Sequence, residues 1–324
     1  MIKKLRETAG IITILAILLS RLPKSHPKYE RIRNDLEKRK AGEYGEDSLD
    51  YFLSLIRGTD FKILHNIRLR FKDYYFQIDT LLLFPSFFII LEVKNLTGTL
   101  LFDPNHQQLI QIRTDESGKQ VEKAMTEPIL QVKRQYSQFR EWLSGIDVPP
   151  IPGEMLVVLT NPNGIVKSLS NPQLVQEMVV KNTALSFRIE KLISKYGTPG
   201  WNKKEMRKVI NSLLKHNTPL QINLLDYYEI SIPELLTGVR CPKCSELAME
   251  RWNARWKCHH CKHTCKKAHI NALNEFALLI SKTASIKELC DFLHIADPVR
   301  ARRLLAPMNL TTQGKNRYLK YILP

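Results

Sequence analysis

Three charged residues interrupt the most apolar stretch of this 324-residue sequence. Residues 76–95 read FQIDTLLLFPSFFIILEVKN, two runs rich in Ile, Leu, Phe and Val around a Pro85-Ser86 turn, and within them stand Asp79, Glu92 and Lys94. Short apolar runs on either side of a turn pair predict a β-hairpin, with strands over 75–84 and 87–93. Side chains two apart on a strand leave the same face, so Glu92 and Lys94 project together and Asp79 can lie opposite them on the paired strand. Converging carboxylates repel unless a cation sits between them, and their oxygens are the hard ligands that Mg²⁺ or Mn²⁺ prefers. An ammonium on the same face can neutralise a developing oxyanion or help to deprotonate a water. The chemistry this set suits is hydrolysis of a phosphodiester. The competing reading is a structural ion pair at a sheet edge.

The elements that must position these residues follow from periodicity. Residues 61–70 (FKILHNIRLR) alternate as a strand leading into the hairpin, and residues 98–102 and 108–113 read as two more short strands around an Asp103-Pro104-Asn105 turn. Leu49, Phe52, Leu53 and Ile56 recur at helical spacing in a helix that starts near Glu43. Pro128 opens another helix, PILQVKRQYSQFREWL, with Leu130, Val132, Tyr136, Phe139 and Leu143 as its apolar contacts. Residues 155–162 (MLVVLTNP) form a buried strand, read as the last of the core sheet, and 171–216 are helical and basic.

The order Asp, twelve residues, then Glu-x-Lys resembles the PD-(D/E)xK nuclease superfamily, with Ile78 where the superfamily name puts proline. The surrounding text, AGEYGEDSLDYFL at 41–53, YYFQIDTLLL at 74–83 and IILEVKNLTGTL at 89–100, resembles the nuclease-related domain family, NERD. The resemblance implies a restriction-endonuclease-like α/β/α core with a mixed sheet, with Asp79 and Glu92 as metal ligands and Lys94 as the catalytic lysine. It also implies a glutamate on the first core helix as a third ligand, Glu46 or its competitor Glu43. Gln131, on the helix after Pro128, and Gln77, on the strand of Asp79, are second-tier candidates.

Six cysteines are present and five fall within 241–265. Cys241 and Cys244 form one CxxC pair, Cys258 and Cys261 a second, thirteen residues apart, which is the arrangement of a zinc ribbon with a β-hairpin between two knuckles. Four thiolates leave no open position for water, so the Zn²⁺ would be structural. Trp252 and Trp256 are the candidates to cover its small core, with His259, His260, His263 and Cys265 as alternative ligands and Cys290 as a buried core thiol. Clustered CxxC pairs suit a reducing compartment better than a disulfide framework, so a cytoplasmic location is expected.

Lys+Arg outnumber Asp+Glu by 49 to 32, a net charge of +17 that favours a polyanionic partner, nucleic acid or an anionic membrane surface. Residues 237–324 hold 16 of the basic and 6 of the acidic residues, so about +10 of that charge lies there and marks the tail as a nucleic-acid grip. Three short helices are expected over 271–281, 285–294 and 298–305, with Ser285 and Glu288 at capping-box spacing. The last two resemble a helix-turn-helix whose basic side chains are Arg300, Arg302 and Arg303, with RYLKYIL as a terminal strand or wing; a plain helical bundle is the alternative.

Residues 1–22 carry an apolar run over 9–19, some 11 residues against the ~20 that a membrane span requires. They read as an amphipathic helix packed on the nuclease-like domain, with membrane association as the less favoured alternative. The expected organisation is an N-terminal helix and charged linker over 1–40, the nuclease-like domain over 41–165, a helical extension or linker over 166–236, the zinc ribbon over 237–268 and a helical unit over 269–324. The function this implies is metal-dependent hydrolysis of nucleic acid, DNA before RNA, with a homodimer as a further expectation. The alternative is a nucleic-acid-binding or regulatory protein with an inactive nuclease-like core.

Overall fold

The computed structural model describes residues 2–6, 9–57 and 60–324. The fold is mixed α/β, with four sheets and ten α-helices among the described residues. By Cα proximity the chain forms two compact units, 1–9 with 38–220, and 10–37 with 221–324. Helix α1 spans Ala9–Ser20 and helix α2 spans Tyr29–Ser54, so the helix expected to start near Glu43 begins at Tyr29 and takes in most of the charged segment before it, which could be read as solvated helix or linker.

The first unit is built on a six-stranded sheet. Its strands are β1 (Ile2–Lys4), β2 (Lys62–Phe71), β3 (Tyr74–Leu83), β4 (Phe88–Lys94), β8 (Gly153–Leu159) and β10 (Val179–Lys181), in that spatial order. β2, β3 and β4 are antiparallel neighbours, whereas β1–β2, β4–β8 and β8–β10 are parallel. The strand at 155–162 is therefore not the last of this sheet: β10 follows it, too short and too polar at Lys181 for periodicity to single it out. A second sheet, in the order β7 (Gln120–Thr126), β6 (Gln108–Thr114), β5 (Gly98–Asp103), β9 (Gly164–Ser168), belongs to the same unit.

Alternation along the strands divides the core of the first unit into two layers. Phe88 and Ile90 pack with α3 (Pro128–Ser144) and α6 (Lys203–His216), through Ile129, Val132, Phe139 and Leu143 of the one and Met206, Val209, Ile210 and Leu213 of the other. Ile89 and Leu91 pack on the opposite side with Leu49 and Leu53 of α2 and with Leu185 and Ile189 of α5 (Leu185–Lys195). Helices thus lie on both faces, and the basic segment before His216 is part of this unit's core. α4 (Pro172–Met178) adds Val175.

In the second unit α1 packs through Leu15 and Leu18 with Ile32 and Leu36 of α2 and with Leu224, Leu225 and Tyr228 on and around α7 (Leu224–Tyr228). The apolar N-terminal helix is thus core of this unit, among residues that its hydrophobicity alone could not name. Residues 1, 7 and 8 of the segment 1–22 lie outside the described residues. No described helix is long and apolar enough to cross a membrane.

Arg21, just after α1, is fully buried. Its Nη2 lies 2.5 Å from Glu275 Oε2 on α8 (Ala268–Leu279), its Nη1 donates to the carbonyls of Leu236 and Gly238, and the guanidinium lies 4.5 Å from the centre of the Phe292 ring. Every face of the charge is answered. Removing one partner of a buried, hydrogen-bonded pair leaves the other uncompensated, so Arg21→Ala should lower stability by ~3–5 kcal/mol. Chemical denaturation followed by the near-ultraviolet signal would measure it, and a loss below ~1 kcal/mol would contradict this account.

Candidate active site and metal cluster

β3 and β4 pair from Thr80↔Leu91 to Leu83↔Phe88 and no further, while β4 continues beside β8 with Glu92, Val93 and Lys94 opposite Val157, Val158 and Leu159. The two central strands therefore part where Asp79 and Glu92 stand. On the other side of β3, the β2–β3 register runs unbroken except at the rung that would join Asn66 to Asp79. Asn66 is left-handed there, with φ of 48°, a conformation that asparagine tolerates better than other non-glycine residues. Asp79 is thus outside both ladders, and its Oδ2 instead accepts the Val93 N–H at 2.9 Å.

Glu92 is buried, and both of its oxygens are held. Lys94 donates to Oε1 at 2.5 Å and the Gln135 amide to Oε2 at 2.7 Å. Lys94 also donates to Gln131 Oε1 at 3.1 Å. Gln131 and Gln135 lie one helical turn apart on α3, so a single helix face grips both ends of the Glu-x-Lys pair. Gln131 was a second-tier expectation; Gln135 was missed, although its position four residues on was the signal that could have found it. Gln77 shares a strand with Asp79 and is exposed, with Arg68 opposite it on β2.

Glu46 comes from α2. Its Oε2 accepts the Asn66 amide at 3.0 Å and lies 3.7 Å from Arg6 Nε, while Arg6 Nη1 reaches Asp50 Oδ2 at 2.6 Å. Gly45 makes that approach feasible, because a Cβ there would lie 2.6 Å from Asn95 Cβ and 2.7 Å from Thr160 Oγ1. The glycine inside the helix lets α2 touch the ends of the strands that carry the site. Asn66 and Arg6 were not foreseen: one is a polar residue in a strand, the other lies forty residues from the acid it holds.

Burial pushes the Asp79 carboxyl well above the ordinary aspartate range, and the charges of Glu92 and then Glu46 push it further, against the Val93 N–H and Lys94. Burial raises Glu46 as well, opposed by Asn66 and Arg6 and reinforced by Asp47 and Glu92. Glu46 is thus among the charges that raise Asp79. His65, buried behind the site, is driven down to about 4 by burial and by Arg6.

A divalent cation fits this donor set on the charge it would relieve. Carboxylate oxygens are its preferred ligands, one or two carboxylates with water and phosphate suffice for Mg²⁺, and no hydrogen bond among the described residues occupies Asp79 Oδ1. Among the described residues, the only group of three or more His, Cys, Asp or Glu side chains with ligand atoms all within 4.8 Å of one another is the four cysteines.

That cluster is Cys241, Cys244, Cys258 and Cys261. Cys241 Sγ lies 3.6 Å from Cys261 Sγ, and Cys244 Sγ 3.6 Å from Cys258 Sγ. Four thiolates at the Zn–S distance of about 2.3 Å around a tetrahedron would be ~3.8 Å apart, so the cluster is the right size for zinc. The two CxxC turns are alike: the residue after each second cysteine is left-handed, Ser245 at φ of 63° and Lys262 at 60°, and its N–H returns to the carbonyl of the first cysteine. Between them β11 (Met249–Trp252) pairs with β12 (Arg255–Cys258), and β13 (Thr264–Cys265) pairs with β12. Trp256 is fully buried but Trp252 is 60% exposed, which corrects the expectation that both cover the core: adjacent positions across a two-residue turn put them on opposite faces. His259 pairs with Glu250 and stands outside the cluster, as do His260, His263 and Cys265. Cys290 is buried among apolar residues as expected.

The model of the nuclease-related domain family, NERD, matches residues 41–160, the stretch that runs from the approach of α2 to the end of β8. The chain therefore carries a nuclease-related domain, and with it a four-cysteine cluster of the dimensions of a zinc ribbon. Searches of curated proteins and of solved structures found no match.

The raised Asp79 makes a prediction about pH. A folded state that holds a proton more tightly than the unfolded chain loses stability as pH rises from the ordinary aspartate value through the folded one. His65 works the other way, losing stability as pH falls from 6.5 towards 4. The comparison that isolates Asp79 is therefore wild type against Asp79→Asn, whose amide oxygen can keep the Val93 bond. Without added divalent cation the variant should melt higher than wild type at pH 8 and the gap should close towards pH 4; a variant that melts lower at pH 8 would refute the charge conflict.

Proposed function

We propose that this protein is a metal-dependent nuclease that hydrolyses phosphodiester bonds, with DNA as its substrate. The observation that carries the reading is the fork between β3 and β4, where Asp79 and Glu92 face each other within a nuclease-related domain and Lys94 is clamped beside them. Helices on both faces of a mixed sheet, with the acidic pair on its central strands, support a restriction-endonuclease-like core.

Asp79 and Glu92 would hold Mg²⁺ or Mn²⁺, with Glu46 in the outer circle, and the bound ion supplies a lowered water pKa and charge neutralisation at the phosphate. Lys94 sets an ammonium charge beside Glu92 that would neutralise charge developing on a phosphate oxygen, and Gln131 fixes its direction. Gln135 keeps the Glu92 carboxylate from rotating away, and Val93 does the same for Asp79 through its backbone. Arg6 and Asn66 orient Glu46. The four cysteines would hold a structural Zn²⁺, which would tie together the two CxxC turns of a hairpin too small to bury much surface of its own.

Cleavage of linear, circular and single-stranded DNA with added Mg²⁺ or Mn²⁺ tests the chemistry. Glu92→Ala and Lys94→Ala should each lower the rate by ~10²-fold or more in protein that is still folded at the assay temperature, although each breaks a held pair and should also lower the melting temperature. Unchanged cleavage in both variants would sink the mechanism. DNA bound but never cut, under any divalent ion, would favour a binding or regulatory protein on an inactive nuclease-like core.

Elemental analysis tests the cluster separately. One zinc per chain is expected, lost in Cys244→Ser together with the thermal transition of the second unit. A metal-free protein that keeps the same transition would show that the four thiols do not need the ion.

A further inference from the structure

The last 27 residues, 298–324, hold six Lys+Arg and no Asp or Glu. They are not a loose tail. Helix α9 (Ile286–Leu293) ends in left-handed His294, a short turn follows, and α10 (Pro298–Leu305) begins behind the side-chain cap of Asp297. Both helices rest on α8: Leu273, Phe276 and Ala277 of α8 pack in one cluster with Leu289, Phe292 and Leu293 of α9 and Ala301, Leu304 and Leu305 of α10. The capping box expected at Ser285 and Glu288 starts α9.

A small sheet completes the arrangement. β14 (Thr283–Ala284) lies between α8 and α9 in sequence, and β15 (Thr312–Gln313) and β16 (Lys320–Ile322) form a hairpin after α10. β16 is central, pairing antiparallel with both of the others. Leu323 enters the same apolar cluster and fastens the hairpin beneath the helices. At the tip, Gly314 is left-handed with φ of 81°, and a Cβ there would lie 2.4 Å from the Tyr318 carbonyl oxygen, so the turn is closed tightly around Lys315.

The two exposed helix faces differ in charge. α9 offers Lys287 together with Glu288 and Asp291, whereas α10 offers Val299, Arg300, Arg302 and Arg303 without an acid of its own. Ala301, Leu304 and Leu305 are its buried stripe at i, i+3 and i+4, which turns Val299, Arg302 and Arg303 outward as a second stripe with the same spacing. Arg300 lies 3.7 Å from Asp297 Oδ2, and Arg302 and Arg303 form no ion pair among the described residues. Two guanidinium groups without counter-charges on one short helix are set for an external anion.

We propose that α10 and the β15–β16 hairpin form a binding site for duplex DNA, with α10 in the major groove and the hairpin tip on the adjoining backbone. A helix of ~10–12 Å diameter fits a major groove about 12 Å wide. The second helix of a helix-turn-helix presents its first residues to base edges, and here these are Val299, Arg300, Arg302 and Arg303. Arginine pairs with guanine O6 and N7 or with phosphate, and Val299 offers the apolar surface that a thymine methyl takes. Lys315, across the hairpin tip, supplies a phosphate contact beside the groove. Single strands are held by stacking on aromatic rings; α10 has none and the hairpin exposes one, Tyr318, so the single strand is the competitor to compare, whereas duplex RNA closes its major groove to a helix.

The site does not rest on the cleavage reading, and its test involves no cleavage. Fluorescence anisotropy on the full chain, without added divalent cation, would compare a DNA duplex of about two helical turns (~21 bp) with its single strand and with the same duplex as RNA. Wild type should bind duplex DNA more tightly than either. Arg302→Ala with Arg303→Ala should weaken duplex binding at least tenfold and flatten the slope of log K against log salt by about 2, while Lys287→Ala on α9 changes neither. Arg302→Gln with Arg303→Gln, which keeps much of the side-chain length, should show the same loss at an unchanged melting temperature. Equal duplex binding by wild type and the glutamine variant would overturn the proposal, as would single strands or duplex RNA bound as tightly as duplex DNA.

Discussion

Carboxylates inside an apolar sheet persist only if something other than bulk water answers their charge, and the first unit is arranged around that constraint. Phe88, Ile89, Ile90 and Leu91 are fully buried, and the chain then reaches Glu92, where neither a greasy neighbour nor a ladder partner on β3 is on offer. The sheet forks there. Lys94 and Gln135 take the two oxygens of Glu92, the Val93 N–H takes one oxygen of Asp79, and the remaining repulsion appears as the upward push on Asp79. A hydrophobic pair at these positions would let β3 and β4 zip to their ends. The structure forgoes those rungs and keeps the charges, which is the trade expected at a functional site.

Several features far apart in sequence serve the same end. Asn66 interrupts β2 opposite Asp79 and turns its amide to Glu46, so one left-handed residue both opens the ladder and orients the third acid. Gly45 brings α2 against Asn95 and Thr160, and Asn95 returns a hydrogen bond to the Ala41 carbonyl. β1 adds a parallel strand beside β2 and delivers Arg6 to Glu46 and Asp50. Each would read as a small irregularity in isolation. Together they set the charges of Glu46 and Glu92 where both push up Asp79.

What was legible followed the physics of each signal. The hairpin around Pro85, the Glu-x-Lys strand face and the paired CxxC turns were readable because strand alternation and knuckle spacing are local. The capping box at Ser285 was readable for the same reason. Non-local facts were not. An apolar run such as residues 9–19 records that it is buried and nothing about its neighbours, so its place beside Leu224 and Leu225 could not be read. Gln135 reaches Glu92 across forty-three residues, and β10 is three residues long; neither leaves a periodic trace. Trp252 and Trp256 carried the same composition signal, and only the two-residue turn between their strands decides which of them is inside.

The two units are stabilised by different means, and this follows from what each has to bury. The first has a six-stranded sheet with apolar side chains on both faces, enough to hold an energetically unfavourable acidic pair. The second has only three-stranded sheets, and it adds polar fasteners to its apolar clusters: a buried Arg21–Glu275 pair, and four thiols brought within 4.8 Å of one another. A satisfied ion pair, like the metal that four such thiols could hold, is a strong but specific fastener, sensitive to one substitution where a broad apolar layer is not. Such fasteners free the surface from any duty to the core. About +10 of the chain's net charge lies in residues 237–324, and the helices there can expose arginines because their stability is settled inside, by Leu304, Leu305 and Leu323, and not by counter-charges on the outside.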